Sequence, residues 1–288
     1  MTGEPSAVVQ LIYNPSAGGH CDKRLAALRA GLEANGARVI PTRSGPGSTI
    51  AIHAEATHVC ALGGDGTVRH AAMAMARSGR RLPMSVYPAG TINLLHRELL
   101  FPLDPHLHAE RMFSGVPADH YAVEVGDSLF LACASVGPDS AAVANVSPAL
   151  KRRLGRFAYA VSLARLVWAW PRQSIRLVAD GRTIECEAFY VAKGRFFAGP
   201  WSFAPDARLG APLLHVVALA TARRRDFARF AWTLLRGRRL DDLPGLTLVT
   251  CTELSAEAGA PLPVQADGDL VGTLPMTMRL RESPIAFC

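Results

Sequence analysis

The chain has 288 residues, of which 49% are hydrophobic and 19% are charged. This composition excludes disordered and fibrous proteins, and it provides enough apolar residues for two domains with substantial cores. The formal net charge of +7 favours anionic partners such as nucleotides or phospholipid surfaces, with a solvated basic face as the alternative, and no nucleic-acid motif is present.

The first part of the chain repeats a pattern of apolar run, polar loop and amphipathic segment. Strands are predicted at residues 7–13, 38–42, 59–62 and 84–87, and leucines at helical spacing follow the first loop. A short helix is predicted at residues 49–56, after the second strand. Such repeats are typical of a parallel sheet with helices on both faces, whose strand C-termini present loops to one ligand-binding crevice.

The loop Gly63-Gly64-Asp65-Gly66-Thr67 follows the third predicted strand. Its glycines allow a tight turn and bring backbone N–H groups close to an anion, and the next helix adds the positive end of its dipole. A carboxylate beside phosphates is repelled unless a divalent cation lies between them, so Asp65 predicts Mg²⁺ and nucleotide phosphates together. Taken alone, the loop could equally be an ordinary glycine-rich turn.

After about residue 116, short apolar runs replace the helical periodicity. Strands are predicted at 121–125, 128–134, 174–178, 183–191, 213–221, 246–254 and 276–280. Turn signals such as Ala179-Asp180-Gly181 and Ala266-Asp267-Gly268 separate these runs and indicate an antiparallel sandwich or barrel. We therefore expect an α/β domain at residues 1–117 and a β-rich domain at 118–288, whose last residues could pack back on the first domain.

Two predicted helices interrupt the β-rich part. Residues 148–170 begin with basic side chains and continue into an aromatic, apolar stripe, and residues 226–235 lie between two runs of arginine. A basic segment with an apolar stripe could lie on an anionic membrane surface. Packing against the second domain is the alternative for both segments.

The cysteines are scattered and form no C-x-x-C pair, which fits neither a zinc site nor a disulfide framework. They are Cys21, Cys60, Cys133, Cys186, Cys251 and Cys288. The first residues lack the basic and apolar regions of a signal peptide, and no uninterrupted apolar run reaches about 18 residues. These features predict a cytoplasmic protein.

Six motifs in order resemble the diacylglycerol kinase catalytic-domain family, which includes sphingosine kinases and bacterial lipid kinases. They lie at residues 14–18, 63–67, 88–95, 134–139, 192–199 and 267–269. The second motif is shared with NAD kinases and phosphofructokinases, so the ordered set carries the resemblance. It implies a nucleotide-binding α/β domain of the NAD kinase and diacylglycerol kinase type, then a β-sandwich-like domain, with the site between them.

The resemblance implies an ATP- and Mg²⁺-dependent kinase that phosphorylates a hydroxyl of a diacylglycerol-like or sphingoid lipid. Phosphoryl transfer needs positioning, charge neutralisation and a carboxylate that accepts the hydroxyl proton. By resemblance Asp269 is that acceptor, Asp267 orients it or holds metal-bound water, and Asp65 handles phosphate-bound Mg²⁺. The implied nucleotide-binding residues are Asn14, Pro15, Ser16, Ala17, Gly18, Thr42, Gly63, Gly64, Asp65, Gly66, Thr67, Gly90, Thr91 and Asn93.

Several positions depart from the family pattern. Asp269 stands where Glu is usual, Arg69 where Asn is frequent, Leu94 where many members have Asp, and Pro138 where an aromatic residue is usual. Ala211-Pro212 replaces an Asp-Gly pair that normally precedes two leucines. Some bacterial members hold a structural Mg²⁺ there through an Asp and backbone carbonyls, and this site is not carried over.

Two other functions remain open. An NAD kinase-like small-molecule kinase would share the glycine-rich loop, but the chain lacks the Asn-Asp-Glu nucleotide motif. A catalytically degenerate nucleotide- or lipid-binding protein is kept open by the departures from the pattern. The expected partners are a lipid substrate and peripheral contact with the anionic inner membrane face, without nucleic acid, as either a monomer or a homodimer.

Overall fold

The computed structural model of the chain describes residues 7–45, 47–145 and 172–288. The chain divides into two compact units, the first formed by Met1–His120 with Ser283–Cys288 and the second by Tyr121–Glu282. The helix predicted at residues 148–170 lies outside the described residues.

The first unit contains a six-stranded, mostly parallel sheet. Its strands are β1 (Ala7–Tyr13), β2 (Ala37–Arg43), β3 (His58–Gly63), β4 (Met84–Pro88), β5 (Ala118–His120) and β18 (Ile285–Phe287). The order is β2-β1-β3-β4-β18-β5, and only the β18–β5 pair is antiparallel. The four predicted strands are confirmed. The two three-residue strands were not predicted, because runs so short show no periodicity.

The helices of this unit are α1 (Asp22–Ala34), α2 (Asp65–Ser78), α3 (Leu94–Leu99) and α4 (Pro105–Ser114). Helix α2 buries Val68, Ala72 and Met75, which recur at helical spacing. It begins directly after Gly64 and ends at Gly79, whose φ of 66° is the left-handed conformation common at helix C-termini.

The prediction of a helix at residues 49–56 is wrong, since the structure has no helix there. The amide of the buried Gln10 side chain makes two hydrogen bonds to this segment. Its Nε2 donates to Ala51 O, and its Oε1 accepts from His53 N. The Arg80 guanidinium donates to three further carbonyls of the segment. Side chains thus satisfy backbone groups that a helix would have paired internally.

The second unit contains two six-stranded sheets in which every described pairing is antiparallel. One sheet has the order β10-β9-β14-β17-β6-β7, with β6 (Val123–Val125), β7 (Ser128–Phe130), β9 (Ile175–Ala179), β10 (Arg182–Cys186), β14 (Glu253–Ala258) and β17 (Met276–Leu280). The other has the order β13-β12-β11-β8-β15-β16, with β8 (Cys133–Val136), β11 (Ala188–Ala192), β12 (Leu214–Leu219), β13 (Leu246–Cys251), β15 (Pro263–Ala266) and β16 (Asp269–Thr273). Their inner faces share one apolar core that includes Phe130, Leu177, Phe189 and Val264. This arrangement confirms the predicted β-sandwich-like architecture.

Two helices accompany the sheets. Helix α5 (Pro138–Asn145) was not predicted, and Pro138 occupies its first position, where the missing N–H costs nothing. Helix α6 (Arg224–Leu235) confirms the helix predicted at 226–235, and its Phe227 and Phe230 pack with Tyr190 in a second core. Within the described ranges, no helix combines the length and apolar character needed to cross a lipid bilayer.

Candidate functional site

The loops that follow β1 and β4 contact each other in the first unit. Gly19 N–H donates to Ala89 O at 2.9 Å, and a Cβ added at Gly18 would lie 3.5 Å from Thr91 Oγ1. The structure therefore brings the end of the predicted loop at residues 14–18 beside Thr91, in agreement with the rule that strand C-termini form the ligand edge of a parallel sheet.

The junction of β3 and α2 needs glycine for steric reasons. A Cβ at Gly63 would lie 2.2 Å from Thr67 Oγ1, and a Cβ at Gly90 would lie 2.4 Å from Gly64 Cα. Two backbone segments thus touch at Gly64 and Gly90, with no side chain between them. Gly64 also leaves the start of α2 without a side-chain cap, which suits an anion bound at that helix terminus.

The Asp65 carboxylate joins this junction to α3. Its Oδ2 accepts a hydrogen bond from Leu94 N at 3.0 Å, and its Oδ1 accepts one from Leu95 N at 3.0 Å. These bonds satisfy N–H groups at the start of α3 and fix the loop that carries Gly90 and Thr91. Since Asp65 bonds to the backbone N–H of Leu94, this bond does not depend on the side chain at position 94.

Three other predicted nucleotide residues have internal partners. Asn93, with a φ of 56°, accepts from Gly90 N and donates to Gly90 O, at 2.8 and 2.9 Å. The Asn14 side chain accepts from Ser16 N at 2.9 Å, and Thr42 Oγ1 accepts from Gln10 Nε2 at 3.1 Å. These bonds shape the loops, and the backbone they hold in place is what could face a nucleotide.

Asp267 lies within the β15–β16 turn of the second unit, Asp269 follows the turn, and the two side chains have different environments. Asp267 is only 6% exposed, and its carboxylate accepts from Leu131 N, Ala132 N and Cys133 N at 2.7, 2.9 and 3.1 Å. Asp269 begins β16 and is half-buried. The Asp267 carboxylate anchors the turn on the segment between β7 and β8, whereas the Asp269 side chain is partly exposed to solvent.

A chain of buried polar side chains runs from the same turn to α5. Gly268 N donates to Gln265 Oε1 at 3.0 Å, Gln265 Nε2 donates to Ser135 Oγ at 2.9 Å, and Ser135 Oγ donates to Asp139 Oδ2 at 2.5 Å. Burial raises the pKa of the Asp139 carboxyl. Burial, reinforced by the neighbouring Asp139, also raises the pKa of the Tyr190 phenol.

This buried chain was not assigned a role in the sequence. Ser135 and Asp139 lie within the motif at residues 134–139, which carries the family resemblance but does not indicate a hydrogen-bonded chain. Gln265 lies in the apolar strand Pro263-Val264-Gln265-Ala266, on the opposite face from the core residues Val264 and Ala266. A polar residue within a short apolar strand is the signal that could have identified it.

Mg²⁺ fits the first-unit loops if phosphate supplies most of its ligands. Within the described ranges, no group of three or more His, Cys, Asp or Glu side chains could hold a metal ion. Asp65 offers a carboxylate beside the glycine-lined junction, and Mg²⁺ is commonly held by one or two carboxylates together with substrate phosphates and water. Asp65 is therefore the residue that would hold a nucleotide-borne Mg²⁺.

Two family models match the chain and together cover nearly all of it. The diacylglycerol kinase catalytic domain matches residues 8–123, and the YegS C-terminal NAD kinase beta sandwich-like domain matches residues 132–287. The second match covers more than half of the chain. The resemblance seen in the six ordered motifs is thus confirmed.

Curated relatives and solved structures agree with these matches. The chain is 25% identical over 276 residues to a diacylglycerol kinase of Bacillus subtilis (strain 168), covering 92% of this chain and 91% of the relative. It is 33% identical over 211 residues to a YegS-like lipid kinase of Pseudomonas aeruginosa PAO1, covering 72% of this chain and 68% of the relative. A crystal structure of a diacylglycerol kinase from Bacillus anthracis str. Sterne shares the fold, with a TM-score of 0.77, 19% identity and coverage of 98% and 96%. The chain therefore belongs to the kinase family that joins a diacylglycerol kinase catalytic domain to a YegS-type C-terminal domain.

Proposed function

We propose that this kinase transfers the γ-phosphoryl group of ATP, with Mg²⁺, to a hydroxyl of a diacylglycerol-like or sphingoid lipid. The observation that carries the proposal is the Gly64–Gly90 backbone contact beside Asp65, the first residue of α2, whose carboxylate accepts hydrogen bonds from the start of α3. This arrangement places the uncapped start of α2 beside a carboxylate, and nucleotide triphosphate sites combine a helix N-terminus with a cation held by carboxylate and phosphate groups.

On the nucleotide side, the glycines matter because they allow phosphate oxygens to approach the backbone. Gly18, Gly64 and Gly90 lie in neighbouring loops, and Thr91 is the hydroxyl side chain beside Gly18. Arg69, one turn into α2, is buried and adds a positive charge to the same helix. We expect the loops to hold the phosphates and Mg²⁺ to bridge them to Asp65.

On the acceptor side, Asp269 is the proposed general base. A base must reach the hydroxyl it deprotonates, and a half-buried carboxylate at the start of a strand can do so. Asp267 is the poorer candidate for that step, since its carboxylate accepts three backbone hydrogen bonds. Its proposed role is to hold the turn on which Asp269 stands.

The surface of α6 supports contact with an anionic membrane. Trp232 and Leu235 are 58% and 54% exposed, while Phe227 and Phe230 are buried in the second core. Three exposed arginines lie on the same side of the helix as Trp232. They are Arg225, seven residues before Trp232, Arg229, three residues before it, and Arg236, four residues after it. One face of α6 therefore packs against the second unit, and the opposite face is basic and aromatic, as a membrane-contacting surface would be.

The test is an assay of the purified protein with labelled ATP and Mg²⁺ against diacylglycerol, sphingosine and NAD, the lipids in mixed micelles. We expect a labelled lipid product and none from NAD. Phosphorylation of NAD alone would establish the NAD kinase-like alternative. ATP binding without any labelled product would establish the degenerate binding protein. The cytoplasmic location of the protein is tested separately by fractionation of cells into soluble and membrane material.

A further inference from the structure

Lys193 follows directly after β11, and its side chain is completely buried. Its Nζ lies 2.7 Å from each of three backbone carbonyl oxygens, those of Arg208, Leu209 and Ala211. An ammonium group has three N–H donors, so these three bonds use its full donor capacity. Lysine is almost never fully buried without such compensation.

The three carbonyls belong to one short stretch within the long connection between β11 and β12. Local turns shape this stretch, through Ala207 N to Ala204 O and Ala211 N to Arg208 O. Carbonyl oxygens that converge on one point repel one another unless a cation lies between them, which is the arrangement of protein sites for hard cations. In this chain the cation is the side chain of Lys193.

The structural Mg²⁺ of some bacterial relatives does not fit here. That ion would need a carboxylate where this chain has Ala211-Pro212, and the Ala211 carbonyl is already bonded to the Lys193 ammonium. A divalent ion at the same oxygens would also be repelled by the buried ammonium.

We propose that the Lys193 ammonium is a built-in cation that organises residues 208–211, so that this stretch needs no bound metal ion. The proposal does not rest on the proposed lipid kinase activity. It accounts for a residue that the sequence presented only as part of the motif at 192–199.

The ammonium is connected to the turn that carries Asp267. Leu209 O accepts from Tyr121 N as well as from Lys193 Nζ. The backbone N–H groups of Lys193 and Gly194 both donate to Ala132 O, and Ala132 N donates to Asp267. Loss of the cation should therefore loosen the carbonyl stretch and the strand segment that anchors Asp267.

The experiment measures thermal unfolding of the full chain without nucleotide. The wild-type Tm should be unchanged by EDTA or by added Mg²⁺. Lys193→Ala should lower Tm by about 5 °C or more, because it removes a charged donor from three converging carbonyls, each of which keeps only one backbone N–H partner. Lys23→Ala, which removes an exposed lysine of α1, should leave Tm unchanged.

Chemical rescue identifies the role of the charge. Methylammonium should raise the Tm of Lys193→Ala but not that of wild type, whereas tetramethylammonium at the same ionic strength, which has no N–H donor, should not. A wild-type Tm that falls with EDTA and returns with Mg²⁺ would overturn the proposal, as would a Lys193→Ala protein with unchanged Tm or without methylammonium rescue. If Lys193→Ala does not fold, the wild-type response to EDTA decides the question.

Discussion

Two hairpins of the second unit have the same turn sequence but different surroundings. Ala179-Asp180-Gly181 joins β9 to β10, and Ala266-Asp267-Gly268 joins β15 to β16. The φ angles are 42° and 83° for Asp180 and Gly181, and 48° and 84° for Asp267 and Gly268. Positive φ at both central residues is the tight hairpin geometry that Asp-Gly favours. The local sequence therefore determines both turns in the same way.

The two aspartates also bond in the same way. The Asp180 carboxylate accepts from Thr252 N and Glu253 N, and the Thr252 N–H is the main cause of its lowered pKa. Asp267 accepts from three backbone N–H groups. The two turns differ in the burial of the aspartate, which is exposed at Asp180 and buried at Asp267. They also differ in the residue that follows the glycine, which is Arg182 in one hairpin and Asp269 in the other. The comparison indicates that the Asp-Gly pair shapes both turns, which is why the catalytic role is proposed for Asp269 and not for Asp267.

The largest expected effect is on turnover. Asp269→Asn keeps the shape of the side chain but removes its basicity, so kcat for lipid phosphorylation should fall by about 100-fold or more. Nucleotide affinity and Tm should be unchanged, as measured by ATP titration and thermal unfolding. Arg182→Asn, at the equivalent position of the other hairpin, is the matched control and should leave kcat unchanged. Equal kcat in Asp269→Asn and wild type would assign the base to another residue.

The next effect is on stability. Asp267→Asn replaces one acceptor oxygen by an NH₂ group that faces buried backbone N–H groups, and should cost about 2–4 kcal/mol in the free energy of unfolding. Asp180→Asn should cost clearly less, because water reaches the exposed turn. Urea denaturation of both variants checks this order. Equal losses would show that burial does not distinguish the two turns.

The buried polar chain gives a smaller effect on catalysis. Gln265→Leu removes the acceptor for Gly268 N and the donor to Ser135, so the turn should be less well positioned and kcat should fall by about tenfold, with KM for ATP unchanged. Ser135→Ala breaks the same chain one step further away and should reduce kcat less. A change confined to Tm in both variants would make the chain structural only.

The smallest effect on chemistry is expected at α6. Arg225→Glu with Arg229→Glu should weaken binding to vesicles that contain anionic lipid, measured by co-sedimentation, without changing phosphorylation of a lipid presented in neutral micelles. Arg29→Glu, on the exposed surface of α1, is the control variant. Unchanged vesicle binding in the double variant would exclude α6 as the membrane surface.

Local sequence predicted the parts of the molecule that depend on local chemistry. Strands β1 to β4 have short apolar runs, α1 and α2 have helical spacing, and both Asp-Gly turns have the required residues. The segment 49–56 failed because its backbone partners, Gln10 and Arg80, are distant in the chain. Helical periodicity does not report such long-range bonds.

The site was predictable by residue type but not by role. The motif predicted Asp65 as a carboxylate beside phosphates, but it gave no sign of the hydrogen bonds from Leu94 and Leu95, about 30 residues away along the chain. Lys193 at the end of an apolar strand looks like a surface charge until its carbonyl partners are known. In each case the missing information is a contact between segments that only folding brings together.

The most direct test of the account is single-turnover transfer from labelled ATP to diacylglycerol in mixed micelles, with Asp269→Glu and Asp269→Asn compared with wild type. If Asp269 is the proton acceptor, Asp269→Glu retains a carboxylate and should keep a substantial part of the wild-type rate, while Asp269→Asn should lose it. Equal rates in the two variants, whether both high or both low, would contradict the assignment.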